Sequence, residues 1–273
     1  MSELVFLKLG GSLITDKTRP YTLRVEKLKT LAKEIHAVLG ENPQLRLVVG
    51  HGSGSFGHYA AQEHLPPSPL PDAEGRQAWA PYWRGFAEVW YRATQLNRHV
   101  VEALHAEAVP VVAIQPSASI VSRDGVIENW NLSPLESALE AGILPVIYGD
   151  MAFDSVRGGA VLSTETLMYY LAGHLRPGRI LLAGLEAAVW ADFPSRHQRV
   201  GKVTPSSYKE LAGRVGGSHG VDVTGGMKAK VEQMLSLVKR IPGLSAQVFS
   251  GERAGNVERA LSGEVLGTLI EGD

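Results

Sequence analysis

Short apolar runs that break into glycine turns, each turn opening a stretch of helical periodicity, constrain the fold of this chain more than any other feature. Leu4–Leu9 is strand-like and ends in Gly10-Gly11-Ser12. Residues 25–39 follow, with apolar side chains at 25, 28, 31, 35, 38 and 39, the one-sided stripe of an amphipathic helix. The unit then recurs: residues 45–49 form a second apolar run that enters Gly50-His51-Gly52-Ser53-Gly54-Ser55-Phe56-Gly57-His58. Further strands are expected at 109–114, 144–148, 179–185 and 246–250, and helices at 79–106, 133–141, 166–175, 225–241 and 256–262. Ser133 reads as the cap of its helix with Pro134 at the first position, and 119–128 as a hairpin turning at Asp124-Gly125. Residues 65–75 carry four prolines and read as an irregular surface loop. Alternation of this kind predicts an α/β fold with a mostly parallel sheet covered on both faces. One continuous sheet in a single domain over residues 1–273 is expected, since no linker or internal repeat divides the chain.

In such sheets ligands bind beyond the carboxyl ends of the strands. Four glycine-rich turns fall there or at a helix start: 10–12, 50–57, 149–150 with 158–159, and 225–226. Glycine lets backbone N–H groups converge on an anion, and a helix N-terminus adds a favourable dipole. One such turn is explained by steric need alone; four in equivalent places point to phosphate. The chain has neither a G-x-x-x-x-G-K-[ST] loop nor a G-x-G-x-x-G after its first strand, which excludes P-loop and dinucleotide-binding patterns. Here the lysine precedes the glycines, as Lys8-Leu9-Gly10-Gly11-Ser12, and a second cation, Lys230, lies one turn inside the helix opened by Gly225-Gly226. Phosphoryl transfer needs positioning and positive charge on the oxygens around phosphorus. Lys228 reads instead as part of a solvated helix face.

Composition narrows the class further. A net charge of -1 gives no electrostatic footprint for nucleic acid. The absence of cysteine removes disulfides, thiolate metal sites and cysteine nucleophiles. With no signal-peptide pattern and no apolar run near the roughly 20 residues that span a bilayer, a cytoplasmic protein without membrane contact is expected.

K-L-G-G-S at 8–12, G-S-G-S-F-G-H at 52–58, Y-G-D at 148–150 and D-V-T-G-G-M-K-A-K at 222–230 resemble, in that order, the amino acid kinase superfamily. I-T-D-K at 14–17 and S-F-G-H at 55–58 narrow the resemblance to the isopentenyl phosphate kinases. It implies an open three-layer αβα sandwich that moves the γ-phosphoryl group of ATP to isopentenyl phosphate, with Mg²⁺ accompanying the nucleotide, in a homodimer. An acceptor half over about 1–175 and a nucleotide half over about 176–273 are expected. By motif matching, Lys8, Lys17 and Lys230 neutralise the transferring group. Gly10, Gly11, Ser12, Gly54 and Gly226 cradle ATP phosphates together with Lys8 and Lys230. His58 holds the acceptor phosphate, with Ser53, Gly54, Gly149 and Asp150 lining the same site, whereas His51 in the same loop reads as structural. A phosphate monoester is largely dianionic at neutral pH, its second pKa being about 6, and needs an anion holder more than a base.

Three places depart from the family pattern. Ser53 stands where glycine is usual, Ser163-Thr164-Glu165 where an aspartate is expected, and Leu185-Glu186-Ala187-Ala188 replaces a V-D-G turn near the nucleotide. Six of nineteen aromatic residues fall within 79–91, and 79, 83, 86 and 90 share a helical face, so Phe86 and Trp90 are candidates to wall a hydrocarbon tail. Core packing or a dimer interface would use the same stripe. Rival functions are a fosfomycin-kinase-like phosphonate phosphotransferase, an acyl-phosphate-forming amino acid kinase, and a non-catalytic phosphometabolite sensor.

Overall fold

The computed structural model describes residues 3–65, 76–209 and 226–273, with side chains from residue 80 onward in the middle segment. Residues 66–75 of the proline loop, the side chain of Trp79, and Asp222 to Gly225 of the fourth motif lie outside these. In chain order the elements are β1 (Leu4–Leu9), α1 (Gly11–Ile14), α2 (Val25–Glu41), β2 (Arg46–His51), α3 (Gly54–His64), α4 (Arg76–Ala106), β3 (Val111–Ala113), α5 (Pro116–Ser119), β4 (Ile120–Arg123), β5 (Val126–Trp130) and α6 (Ser133–Glu140). There follow β6 (Leu144–Tyr148), β7 (Asp150–Asp154), β8 (Gly158–Leu162), α7 (Thr164–Leu175), β9 (Arg179–Gly184), β10 (Val189–Trp190), β11 (Arg199–Val200), β12 (Lys202–Val203), α8 (Gly226–Arg240), β13 (Ser245–Ser250), α9 (Asn256–Leu261) and β14 (Thr268–Glu271).

The main sheet has eight strands in the order β12-β14-β13-β9-β1-β2-β6-β3, parallel except that β14 runs against β13 and β12 runs with β14. β1 is central and wholly buried, paired with β2 on one side and β9 on the other. The chain winds outward from β1 to β2 and β6, then returns to β9 and winds the other way. That reversal opens a crevice at the carboxyl ends of β1 and β9, where parallel sheets bind ligands.

Alternation along β1 sets the two cores. Leu4 and Phe6 pack with α7 and α8, while Val5, Leu7 and Leu9 pack with α1, α2, α4 and α9. Lys8 therefore shares the face of Leu4 and Phe6 and points toward α7. Glu34 of α2 joins two elements on the other face: its carboxylate accepts the N–H groups of Gly255 (3.0 Å), Val257 (2.8 Å) and Glu258 (3.2 Å) and so caps α9.

Several expectations are corrected. The main sheet is continuous across both halves as expected, but β5-β4-β7-β8 form a separate four-stranded sheet that was not. The segment read as a pair of glycine turns, 149–150 with 158–159, is an antiparallel hairpin with Asp150 opposite Leu162. Asp154 explains the hairpin, for its carboxylate accepts from the N–H groups of Asp124, Gly125, Val156 and Arg157 and from the Ser122 hydroxyl. Ser133 is the first residue of α6 and not its cap; Asn131 Oδ1 accepts its N–H at 3.2 Å, and Pro134 sits second. On α4 the buried stripe runs through Tyr82, Phe86, Val89, Ala93, Leu96, Val100 and Leu104, sharing Phe86 with the expected face but taking Tyr82 and Val89 in place of Trp83 and Trp90. Trp83 is accordingly 37% exposed. The turn at Asp124-Gly125 has φ of 50° and 79°, as its sequence demands.

Candidate active site

Two glycine loops meet backbone to backbone at the end of β1. A Cβ on Gly11 would lie 2.5 Å from Gly54 N, and one on Gly52 would lie 2.8 Å from Gly11 N. Neither position tolerates a side chain while the loops keep this contact. Gly54 itself has φ +52°, with Thr15 Oγ1 2.3 Å from the place a Cβ would take. Ser53, by contrast, has φ -70° and ψ -12°, ordinary for any residue, so serine is accommodated there without strain. Among the described residues, the N–H groups of Gly11, Ser12, Ser53 and Gly54 meet no protein acceptor. They are available to an anion.

Lys8, at 7% exposure, forms an ion pair with Glu165. Glu165 lies in the first turn of α7, whose cap is Ser163, with Ser163 Oγ accepting the Thr166 N–H at 3.1 Å. Burial lowers the pKa of Lys8, opposed by Glu165 and reinforced by the charges of Lys230 and Lys17. Burial followed by Lys230 likewise lowers Lys17, and burial followed by Lys17 lowers His58. Burial raises the Glu165 carboxyl, but Lys8 and Lys230 outweigh it and hold the group below its ordinary value. Three cations, one carboxylate and one imidazole thus act on each other across a cleft of about 780 Å³.

Residues 3–250 match the amino acid kinase family. The chain belongs to the amino acid kinase family. Within it, the chain groups with the isopentenyl phosphate kinases. It is 31% identical to that of Methanocaldococcus jannaschii over 98% of both chains. It is 35% identical to that of Methanothermobacter thermautotrophicus over 98% of this chain and 99% of the other. A solved isopentenyl phosphate kinase superposes with a TM-score of 0.81 at 31% identity, over 98% of this chain and 99% of that one.

In this amino acid kinase the cleft is lined by Lys8, Gly10, Gly11, Ser12, Lys17, Ser53, Gly54, His58, Gly149, Gly226 and Lys230. The structure therefore brings together every candidate named from sequence except three. Asp150 is turned away into the protein at 1% exposure, where Oδ2 accepts the Ser117 N–H at 3.3 Å and burial pushes its pKa up to about 6. Phe86 and Trp90 belong to an adjoining apolar cluster with Ala60, Val89 and Met151. Ala61 packs on that cluster and also lines the cleft, so the cluster abuts the cleft wall. Lys228 is exposed, 4.0 Å from Glu232.

Toward the C-terminal side the cleft is walled by residues that no motif announced: Leu185, Glu186, Trp190, Phe193 and Arg196. Glu186 accepts from Trp190 Nε1 at 3.0 Å and pairs with Arg196, whose guanidinium stacks on Phe193 at 4.9 Å. Their only sequence signal was the departure from the family turn at 185–188. Thr164 was also missed; its hydroxyl donates to the His51 carbonyl at 2.6 Å.

Proposed function

We propose that this chain transfers the γ-phosphoryl group of ATP to isopentenyl phosphate, giving isopentenyl diphosphate and ADP. The observation that carries the proposal is the cleft itself: two glycine nests in backbone contact, the Lys8–Glu165 pair between them, and His58 beside an apolar cluster. An acceptor phosphate oxygen attacks the γ-phosphorus while the bond to the β–γ bridging oxygen breaks, and ADP leaves with that electron pair. Because the acceptor is already a dianion at neutral pH, with a second pKa of about 6, no base is required. Lys8, Lys17 and Lys230 supply positive charge where negative charge redistributes. Gly10, Gly11, Ser12, Gly54 and Gly226 hold nucleotide phosphates. His58 holds the acceptor phosphate with Ser53 and Gly149, and Asp150 supports that end from beneath.

Among the described residues no set of three metal-ligating side chains gathers, and the cleft carboxylates Glu165 and Glu186 are each paired with a cation. These residues do not make a metal site; Mg²⁺ enters with the ATP phosphates that it prefers. Residues 1–175 supply the acceptor side and 176–273 the nucleotide side of one domain. The exposed edge strand β3, with Val112 at 38% exposure, favours a homodimer, because such edges are normally covered. No described helix is long and apolar enough to cross a membrane, and ATP is supplied in the cytoplasm, where we place the enzyme.

The apolar wall of Phe86, Val89, Met151 and Trp90 favours a hydrocarbon acceptor over a compact polar phosphonate. Following ATP consumption and product formation with isopentenyl phosphate and with fosfomycin tests this. Turnover of fosfomycin alone would overturn the assignment, and ATP binding without turnover of either would leave a sensor.

A further inference from the structure

His51 is fully buried in the main sheet, opposite Leu9 on one side and Tyr148 on the other. Its ring lies parallel to that of Tyr148, centroids 5.6 Å apart at 6°. It faces no cleft and is not among the groups assigned to substrate. Yet three parts of the site are fastened to it. Its carbonyl accepts the Thr164 hydroxyl at 2.6 Å and the Gly149 N–H at 3.3 Å. Its Nδ1 lies 3.1 Å from the carbonyl oxygen of Gly52, the next residue.

That last contact has a stereochemical consequence. The Gly52 oxygen belongs to the peptide unit whose N–H is that of Ser53, and in a planar trans peptide the two point in opposite directions. Drawing the Gly52 oxygen inward onto the imidazole turns the Ser53 N–H outward. Ser53 lines the cleft, and its N–H meets no acceptor among the described residues. Gly52 itself has no side-chain preference that would hold the peptide unit in this orientation.

The tautomer follows from the partners. Burial, with the nearby Lys8 charge adding to it, takes the ring's pKa down to about 4, so it is neutral at physiological pH and carries one N–H. A carbonyl only accepts, which puts that hydrogen on Nδ1. Nε2 is then an acceptor. It lies 3.2 Å from the side-chain amide of Asn97 on α4, at the Oδ1 position, and a half-turn of that amide presents its NH₂ instead. Asn97 is itself buried at 4% exposure.

We infer that His51 is a positioning residue for the proposed transfer: its Nδ1–H, fixed by Asn97, locks the Gly52–Ser53 peptide so that the Ser53 N–H faces the acceptor phosphate. The inference rests on the acceptor assignment made above for the 52–58 loop. Two polar variants separate this role from simple core filling. The amide nitrogen of Asn takes the place of Nδ1, whereas that of Gln takes the place of Nε2. His51→Asn keeps the hold on Gly52 and loses less than about threefold in kcat/KM for isopentenyl phosphate, whereas His51→Gln keeps only the Asn97 contact and loses about tenfold to hundredfold, with KM for ATP little changed. Both are measured per folded molecule against their melting temperatures. A core role alone makes activity follow stability in both, and equal kinetics in the two folded variants overturns the inference. Wild-type turnover of isopentenyl phosphate is the control: its failure would sink the function, not the role of His51. An experiment without variants or turnover completes the test, because the Ser53 amide resonance of the wild-type protein must shift on titration with isopentenyl phosphate. A Ser53 amide that ignores the titration while neighbouring loop signals move overturns the inference even if His51→Gln does not fold.

Discussion

The ammonium of Lys8 and the carboxylate of Glu165 pair at the floor of the cleft, one from the end of the central strand and the other from the first turn of α7. The pair reconciles two requirements. Lys8 is buried, which favours its neutral form, and two more lysines raise the local positive potential. Glu165 opposes that loss of charge before nucleotide arrives. Glu165 reaches Lys8 from the first turn of α7.

Glu165→Gln removes that counter-charge and leaves the fold of the helix start intact. Lys8 then loses its proton at lower pH, so the alkaline limb of the kcat/KM profile moves to lower pH. Turnover at neutral pH falls about tenfold to hundredfold, within the range seen when a transition-state contact is lost. Full pH profiles of both enzymes check this, and an unmoved alkaline limb would show that Glu165 does not govern Lys8.

Replacement of Lys230 by Ala removes a cleft charge that the proposed reaction uses most in its transition state. A loss of about 10² to 10³ in kcat is expected. Lys228→Ala, two residues away, removes an exposed group beside Glu232 and changes kcat by less than about twofold, as exposed pairs contribute little. Parallel steady-state kinetics decide between them; equal losses would mean that the helix presents the wrong lysine to the cleft in our assignment.

Asp154 carries a stability prediction. Burial raises its carboxyl, but four N–H groups and the Ser122 hydroxyl hold it well below the ordinary carboxylate value. A group depressed on folding adds stability that is complete above its unfolded pKa, about 4, and is lost as pH falls through the folded value. Asp154→Asn should destabilise the protein by about 2–4 kcal/mol at pH 7, since the amide turns a donor toward donors. It should also flatten the fall in melting temperature below about pH 4. An unchanged acid slope in the variant would contradict the linkage.

Much of the site was legible in the chain because its signals are local. Lys8, Gly10, Gly11 and Ser12 follow one uninterrupted apolar run, and the Gly52–His58 loop follows another, so each could be placed at a strand end without knowing the rest. The second sheet was not legible: strands β7 and β8 are five residues each, and what joins them is Asp154, whose five partners come from two separate turns. The buried face of α4 is turned from the expected one because Tyr82 and Trp83 are neighbouring aromatics and tertiary contacts decide between them: the Tyr82 hydroxyl donates to the Gly159 carbonyl at 2.8 Å, and α3 approaches closely. A Cβ on Gly85 would lie 2.1 Å from the His64 carbonyl oxygen, a contact that turns Tyr82 inward and Trp83 out. His51 reads as structural because nothing in the sequence shows that its ring reaches the Gly52 carbonyl and its own carbonyl the Thr164 hydroxyl.

His58 separates binding from charge. It lies on α3 four residues past Gly54 and lines the cleft. Burial first, then the charge of Lys17, lowers its pKa below the ordinary value of about 6.5, which favours the neutral ring in the empty cleft. Its service to the acceptor phosphate is therefore an N–H and not a positive charge. His58→Ala should impair use of isopentenyl phosphate about tenfold to hundredfold, the worth of one hydrogen bond to a charged oxygen, and leave KM for ATP nearly unchanged. His58→Asn or His58→Gln should recover part of the loss, as an amide N–H donates to the same oxygen. With the neutral ring as the working form, the wild-type profile should not decline as pH rises through the ordinary imidazole range. A decline there that vanishes in His58→Gln would mean the imidazolium is the working form. Unchanged isopentenyl phosphate kinetics in His58→Ala would make this a structural histidine and move the acceptor phosphate elsewhere in the cleft.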